Sequence, residues 1–190
     1  MEPSSAPFDQ PLDPLVLGRA RRGERSAQAA IYERYGRAVY TLARRMTGCE
    51  ATAADVLQDS FLHAFERLHQ YRGEAPFGHW LRRIAATQSL MQLRAQRRWL
   101  PLPDEDLEAD DTPRLPVIEA ADLEQALALL DATARAVLWL YHVEGYRHAE
   151  IAAMAGKTVS FSKSQLARAH QKLQARFGLA PAAGCAPALT

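Results

Sequence analysis

The sequence predicts an all-α chain: two helical domains joined by an acidic, proline-rich linker, with a helix-turn-helix as the second domain. Three observations predict it. Apolar residues recur close to the 3.6-residue helical period through two long stretches, and glycine or proline separates one run from the next. Between residues 99 and 121 the pattern fails, because Pro101, Pro103, Pro113 and Pro116 break helices and Asp104 to Asp111 is nearly all acid. Charge follows the same division. Pro14 to Arg98 holds 15 arginines against 7 acidic residues, net +8; Trp99 to Asp131 holds 1 against 10, net −9; Ala132 onward holds 7 basic residues against 2 acids, net +5. A total of only +1 thus hides two basic modules flanking an acidic connector. The expected organisation is a flexible tail at 1–12, a first domain at 13–98, the linker at 99–121, the helix-turn-helix domain at 122–178 and a second flexible tail at 179–190.

In the first domain, Asp13 and Pro14 supply an N-cap and first helical residue for a short helix holding Leu15, Val16 and Leu17. Ser26 opens a longer helix whose apolar stripe runs Ala27, Ile31, Tyr35, Ala38, Val39, Leu42 and Met46, closed by Gly48. Thr52 and Asp55 resemble a capping box for the next helix, which carries Val56, Leu57, Phe61, Leu62, Phe65 and Leu68 as apolar residues. Asp55, Gln58, Asp59 and Glu66 lie elsewhere on its circumference, as exposed acids that solvate the helix or as a polar patch open to a partner. After Gly73, Pro76 suits a first helical turn, and Phe77, Trp80, Leu81 and Ile84 follow at core spacing. Arg82, Arg83, Arg94, Arg97 and Arg98 make this segment strongly basic. Aromatic rings beside guanidinium groups suit single-stranded DNA, where bases stack on rings and arginine neutralises phosphate; the other reading makes Phe77 and Trp80 core residues, and it is the better one for Trp80.

In the second domain, Asp122 caps a helix over Leu123 to Leu130, and Asp131 caps one over Thr133 to Glu144 that stops at Gly145. The next runs from about His148 to Ala155 and ends at Gly156, the residue type a three- to four-residue turn needs. Thr158 caps the last, which continues to Phe177 with Phe161, Leu166, Ala169 and Leu173 inward and Lys163, Gln165, Arg168 and Lys172 outside. A long basic helix after a glycine turn suits a DNA major groove; an ordinary helical hairpin with a solvated basic face has the same pattern.

Several classes are excluded. No apolar run approaches the ~20 residues of a membrane span, and the N-terminus lacks the basic-then-apolar plan of a signal peptide, so a cytoplasmic protein without membrane insertion is expected. Cys49 and Cys185 are far apart and read as unpaired thiols, and the six histidines are scattered without an i, i+4 pair, so neither a metal site nor a cofactor is expected. No Ser-His-Asp, Cys-His or glycine-rich phosphate pattern stands in a credible context, so no catalytic residues are assigned.

Two stretches carry a family resemblance. "VEGYRHAEIAAMAGKT" followed by "SKSQLARAHQKL" resembles the promoter-reading domain of bacterial RNA polymerase sigma factors, of the small extracytoplasmic-function class, through Val143-Glu144-Gly145, Glu150-Ile151-Ala152, Gly156, Lys163-Ser164, Leu166, Arg168-Ala169 and Leu173. The resemblance implies upstream-promoter contacts from Arg147, Thr158, Lys163, Ser164, Gln165, Ala167 and Arg168. "ADVLQDSFLHAFERL" resembles the family's motif for docking on the clamp helices of the polymerase β′ subunit, which implies that role for Asp55, Leu57, Gln58, Asp59 and Phe61. "YRGEAPFGHWLRRIA" is similar to the segment with which the family melts the promoter and captures an unpaired base, implying downstream-promoter contacts from Tyr71, Arg72, Phe77, Trp80, Arg82 and Arg83. Core RNA polymerase (β′ clamp helices and β flap), promoter DNA and an anti-sigma factor are the implied partners. In the family the linker threads toward the RNA path; a soluble spacer is the other reading of its acids. This sequence departs from the family at Thr87 and Met91, where Asn and Asp are usual, at Arg147 in place of a capping Ser, at Ser160-Phe161-Ser162 in place of Gly-Thr-Val, and at Gln165 in place of Arg. A stand-alone helix-turn-helix regulator, with a first domain that senses a ligand or dimerises, is the alternative, and a helical enzyme or adaptor a third.

Overall fold

A computed structural model describes residues 7–96 and 120–177. Arg97, Arg98, the linker up to residue 119 and the tails at 1–6 and 178–190 lie outside the described residues, so the readings of the linker and the C-terminal tail fall there. The described residues form helices α1 (Pro14–Arg21), α2 (Arg25–Thr47), α3 (Glu50–Glu66), a 3-10 turn (Leu68–Gln70), α4 (Phe77–Ala95), α5 (Ala120–Ala128), α6 (Ala132–His142), α7 (His148–Ala155) and α8 (Val159–Phe177).

The axis of the first domain is α2. Its stripe of Ile31, Tyr35, Val39, Leu42 and Met46 is fully buried, and α1, α3 and α4 all pack on it. Opposite that stripe stand Phe61 and Ala64 of α3 and Leu81, Leu90 and Leu93 of α4, the core that the 3.6-residue spacing demands. The second domain lays α6 and α7 against α8 around Val137, Leu140, Ile151, Phe161, Leu166 and Leu173. Gly156, at φ +62°, takes the left-handed conformation that ends α7, and the Thr158 hydroxyl accepts from the Phe161 N–H at 3.1 Å to cap α8.

The two domains share one core, with α6 against α2 and both α6 and α7 against α4. Gly48, at φ +71°, closes α2 where a Cβ would fall 1.4 Å from Nη1 of Arg135. Arg135 also donates to the carbonyls of Leu127 and Leu130, at 2.7 and 3.1 Å, so one guanidinium sits between the C-terminal ends of α2 and α5, where the helix dipoles favour a cation. Arg45 pairs with Glu124 and lies 5.8 Å over the Trp139 ring. Glu144 is buried; it accepts from Trp139 Nε1 at 3.0 Å and faces Arg82 at 3.4 Å.

Several expectations change. Residues 8–12 are not a flexible tail: Phe8 is 1% exposed and Tyr35 donates its hydroxyl proton to the Gln10 carbonyl at 2.7 Å. The first domain therefore begins before residue 13. Thr52 is not a cap, because α3 starts after Cys49 and buries Thr52, whose hydroxyl accepts from Gln96 Nε2. Glu24, not Ser26, occupies the N-cap of α2, and Ser26 donates to the Glu24 carboxylate. Asp122 does not cap α5, which begins at Ala120 and so takes the last two residues assigned to the linker. Leu62 leaves the apolar stripe and is 54% exposed.

At the start of α7 the Arg147 N–H donates to Glu150 Oε2 at 2.8 Å, one half of a capping box. An arginine side chain has no acceptor and cannot supply the other half. Arg147→Ser is therefore expected to add ~0.5–2 kcal/mol of stability, read as a raised thermal midpoint of the full chain. No gain would show that the Glu150 arm alone satisfies this end.

Between α6 and α8, His142 and His170 meet Nε2 to Nε2 at 2.9 Å, and His148 stacks on Tyr141 with its Nδ1 3.0 Å from the Ser162 hydroxyl. One ring of the pair donates and the other accepts, so the contact needs an unprotonated nitrogen. Burial, with His170 and His148 beside it, holds His142 down at about 4, and burial also lowers His170. Between about 6.5 and about 4 an unfolded chain takes up a proton that the folded one excludes, so stability is present at neutral pH and falls as pH drops through that window. Thermal midpoints are expected to fall between pH 7 and pH 5, and less steeply in His142→Phe; identical slopes would remove the pair as the cause.

Candidate functional site

Three surfaces gather the residues singled out in the sequence, and the structure treats their members unequally. On α3, Asp55 and Gln58 are exposed, Leu57 and Asp59 are half-buried, and Phe61 is buried with its ring 4.8 Å from that of Tyr32. Asp59 was expected in the open; it instead accepts from Gln92 Nε2 of α4 at 3.0 Å. Phe61 therefore shapes the helix from beneath and does not itself present a contact. Asp55, Gln58, Leu62 and Glu66 are exposed and recur at i, i+3, i+7 and i+11, one stripe of the helix. Leu62 was missed as a surface residue because its apolar character matched the core run. Its position four residues beyond Gln58 was the available signal.

The segment before α4 forms a ring cluster. Tyr71 lies 5.4 Å from Phe77 and 5.5 Å from Trp80, Phe77 lies 5.6 Å from Trp80, and Tyr35 of α2 meets Phe77 at 5.6 Å. Phe77 is 3% exposed and serves as core, whereas Tyr71 and Trp80 keep a partly open surface on which a base can stack. The Tyr71 hydroxyl donates to the Ala75 carbonyl at 2.6 Å, closing the loop whose residues Arg72 to Pro76 are exposed. The two arginines of α4 part company. Arg83 is exposed, while Arg82 turns toward the second domain, pairs with Glu144 and lies 5.4 Å over the Tyr146 ring. Burial raises the Tyr146 phenol pKa despite the nearby Arg82, so that ring stays neutral.

In α8 the expected outward face needs correction. Gln165 is 1% exposed and its Oε1 has no partner among the described residues; Ser164 is buried and donates to the Phe161 carbonyl at 3.0 Å. Both point into the domain, since the 3.6-residue period sets them beside Phe161, Leu166 and Ala169. Arg168 is half-buried, with Nη1 enclosed and without a partner among the described residues. One stripe runs through Ser160, Lys163 and Ala167, all half-buried, to the exposed Gln171, with Lys157 and Thr158 exposed at its N-terminal end. Lys157 lies 5.8 Å over the Phe161 ring. Arg147 is exposed at the start of α7. Ser160, Gln171 and Lys157 were not singled out; counting three residues back from Lys163 and four on from Ala167 would have found the first two. Basic groups, hydroxyls and a small Ala167 on one stripe of a helix that follows a tight turn suit entry into a groove of DNA.

Among the described residues no group of three or more potential ligands is placed to hold a metal ion, and no helix is long and apolar enough to cross a membrane.

Comparison with known proteins matches this geometry. The family model of Sigma-70 region 2 matches residues 31–98 and that of Sigma-70, region 4, residues 120–173. The chain is 30% identical to the RNA polymerase sigma factor NccH of Alcaligenes xylosoxydans xylosoxydans over 88% of this chain and 95% of that protein. It is 31% identical to the ECF RNA polymerase sigma factor SigM of Mycobacterium tuberculosis over 87% and 85% of the two chains. Among solved structures it is similar to CnrH in complex with the cytosolic domain of CnrY, at TM-score 0.50, 26% identity and coverage of 86% and 96%. The sigma factor RpoE in complex with the anti-sigma factor NepR from Bartonella quintana shares the fold, at TM-score 0.53, 20% identity and coverage of 80% and 96%. A region 2 match over the first domain also disfavours the stand-alone regulator, which has no need of one. The chain belongs to the extracytoplasmic-function class of RNA polymerase sigma factors, non-enzymatic initiation factors that bind core polymerase and direct it to promoters.

Proposed function

We propose that the first domain of this chain docks on the β′ clamp helices through the α3 stripe of Asp55, Gln58 and Leu62, with Leu57 and Asp59 at its edge and Phe61 bracing it from below. The second domain sits on the β flap. The observation that carries the docking role is that exposed stripe: two polar groups and a 54% exposed leucine on a helix whose other side is fully packed. An exposed apolar residue ringed by hydrogen-bonding groups is what a partner helix covers. Tyr71, Trp80, Arg72 and Arg83 engage the downstream element as it opens, and Arg82 joins them once it leaves Glu144. Arg147, Thr158, Lys163, Ala167 and Arg168 face the upstream element, with Ser164 and Gln165 supporting α8 from inside. The printed complexes of CnrH with CnrY and of RpoE with NepR support an anti-sigma partner for this chain as well. The work is done in the cytoplasm, where polymerase and promoter meet.

Asp55→Arg tests the docking stripe, since it reverses charge at an exposed position. The variant is expected to fold and to lose core polymerase in a pull-down, a weakening of ~2–5 kcal/mol. Normal assembly and transcription would end the docking assignment, and a wild-type chain without affinity for core polymerase would restore the regulator reading.

Lys163→Ala and Arg168→Ala test the recognition helix, and they are expected to differ in kind. Loss of a phosphate contact at Lys163 weakens binding across all sequences and lowers the salt slope by ~1. Arg168 is half-buried, so its removal also lowers the thermal midpoint. If neither changes binding of the upstream element by holoenzyme, α8 is not the reading helix.

A further inference from the structure

We propose that residues 8–12 are a strap that positions the promoter-opening loop, with Phe8 as the positioning residue and Gly78 as its seat. The proposal rests on the assignment of Tyr71 to His79 to downstream-promoter opening. The strap lies outside the stretch that Sigma-70 region 2 matches, which starts at residue 31.

The strap crosses the N-terminal turn of α4. Phe8 is 1% exposed, and its backbone passes so near Gly78 that a Cβ there would lie 2.0 Å from the Phe8 carbonyl oxygen and 2.8 Å from its carbon. Only glycine admits that approach. Gly78 is in an ordinary helix, so this close passage and not backbone conformation is what requires it. Three further ties hold the segment: the Asp9 carboxylate meets His79 Nε2, the Gln10 carbonyl accepts from the Tyr35 hydroxyl at 2.7 Å, and the Pro11 carbonyl accepts from Arg34. Asp13 then caps α1 through the Leu15 N–H at 2.8 Å, and Arg21 at the end of α1 donates to the Tyr71 carbonyl with its guanidinium 5.9 Å over the Tyr71 ring.

The strap therefore grips the loop at both ends, at Gly78 and His79 on one side and, through α1, at Tyr71 on the other. Between them the loop is exposed. The rings it presents, Tyr71 and Trp80, pack on Phe77, edge-on and tilted respectively, and Phe77 packs at a tilt on Tyr35, which the strap also holds. A base-stacking platform works only if its rings stay in place while the duplex opens, and support from a neighbouring segment is how such precision is kept. Without the Phe8 side chain the strap loses its buried anchor and its ties at Gly78 and His79 loosen, while α3 and α8 are untouched.

The test uses full-length chain in holoenzyme, with a duplex template selected from a random-sequence DNA pool by transcription with the wild-type holoenzyme. Phe8→Ala is expected to slow open-complex formation, read by permanganate reactivity, by ~10–100-fold, while core affinity and closed-complex affinity stay within about twofold. Phe8→Leu restores most of the rate. Gly78→Ala slows opening in the wild-type background and adds nothing to Phe8→Ala, because both remove one seat. Tyr71→Ala and Trp80→Ala report the loop itself. If these two slow opening and a folded Phe8→Ala does not, or if the Phe8 and Gly78 defects multiply, the strap is overturned and the loop assignment stands. If Tyr71→Ala and Trp80→Ala open at the wild-type rate, both fall together.

Discussion

One helix bears on every part of this molecule. The buried face of α2 must satisfy α1, α3 and α4 along its length and then α6 near its end, so its stripe of Ile31, Tyr35, Val39, Leu42 and Met46 is packed without solvent access. Burying side chains of that size is worth ~1.5–3 kcal/mol each, so the stripe is a substantial part of the first domain's cohesion. Its middle and its C-terminal end do different work. Tyr35 passes order to the ring cluster before α4, and Gly48 brings the chain to a halt where Arg135 of the second domain can reach it. The proposed docking stripe of α3 and the ring cluster before α4 are the outsides of helices that α2 packs from within.

What the sequence made legible follows from how local each cause is. The bounds of α7 and α8 are carried by Gly156, which must turn left-handed, and by Thr158, which caps three residues ahead; both causes lie within four residues of their effect. The α2 stripe repeats for about five turns and admits one reading. Phe8 gave no such signal, since a lone aromatic in a proline-rich segment joins the core only by tertiary packing, its backbone meeting Gly78, 70 residues away. Gln165 misled for the opposite reason. Polar character assigned it outward, yet the helical period places it on the inner face, and tertiary context overrides composition there. The same conflict, with sign reversed, hid Leu62 on the surface.

The α3 stripe and the α8 stripe also differ in how much of each was visible. Asp55 and Gln58 could be placed from spacing alone, but the bond from Gln92 that draws Asp59 against α4 joins residues 33 apart. In α8 the pairing of His142 with His170 and the stacking of His148 on Tyr141 fill the space behind the reading face with rings that sequence had left scattered. A recognition helix is held by what stands behind it, and that layer is tertiary.

The contact between Arg82 and Glu144 makes the chain its own competitor. Glu144 is a carboxylate tethered at high local concentration to a cation proposed above to meet nucleic acid, and the two ligands would exclude one another. Apparent affinity for DNA at that arginine then falls by the fraction of molecules in which the domains have parted. Whatever holds the domains apart raises it by the same factor. On the seating proposed above, with one domain on the β′ clamp helices and the other on the β flap, polymerase would supply that separation, leaving this arginine open in the holoenzyme and closed in the free chain.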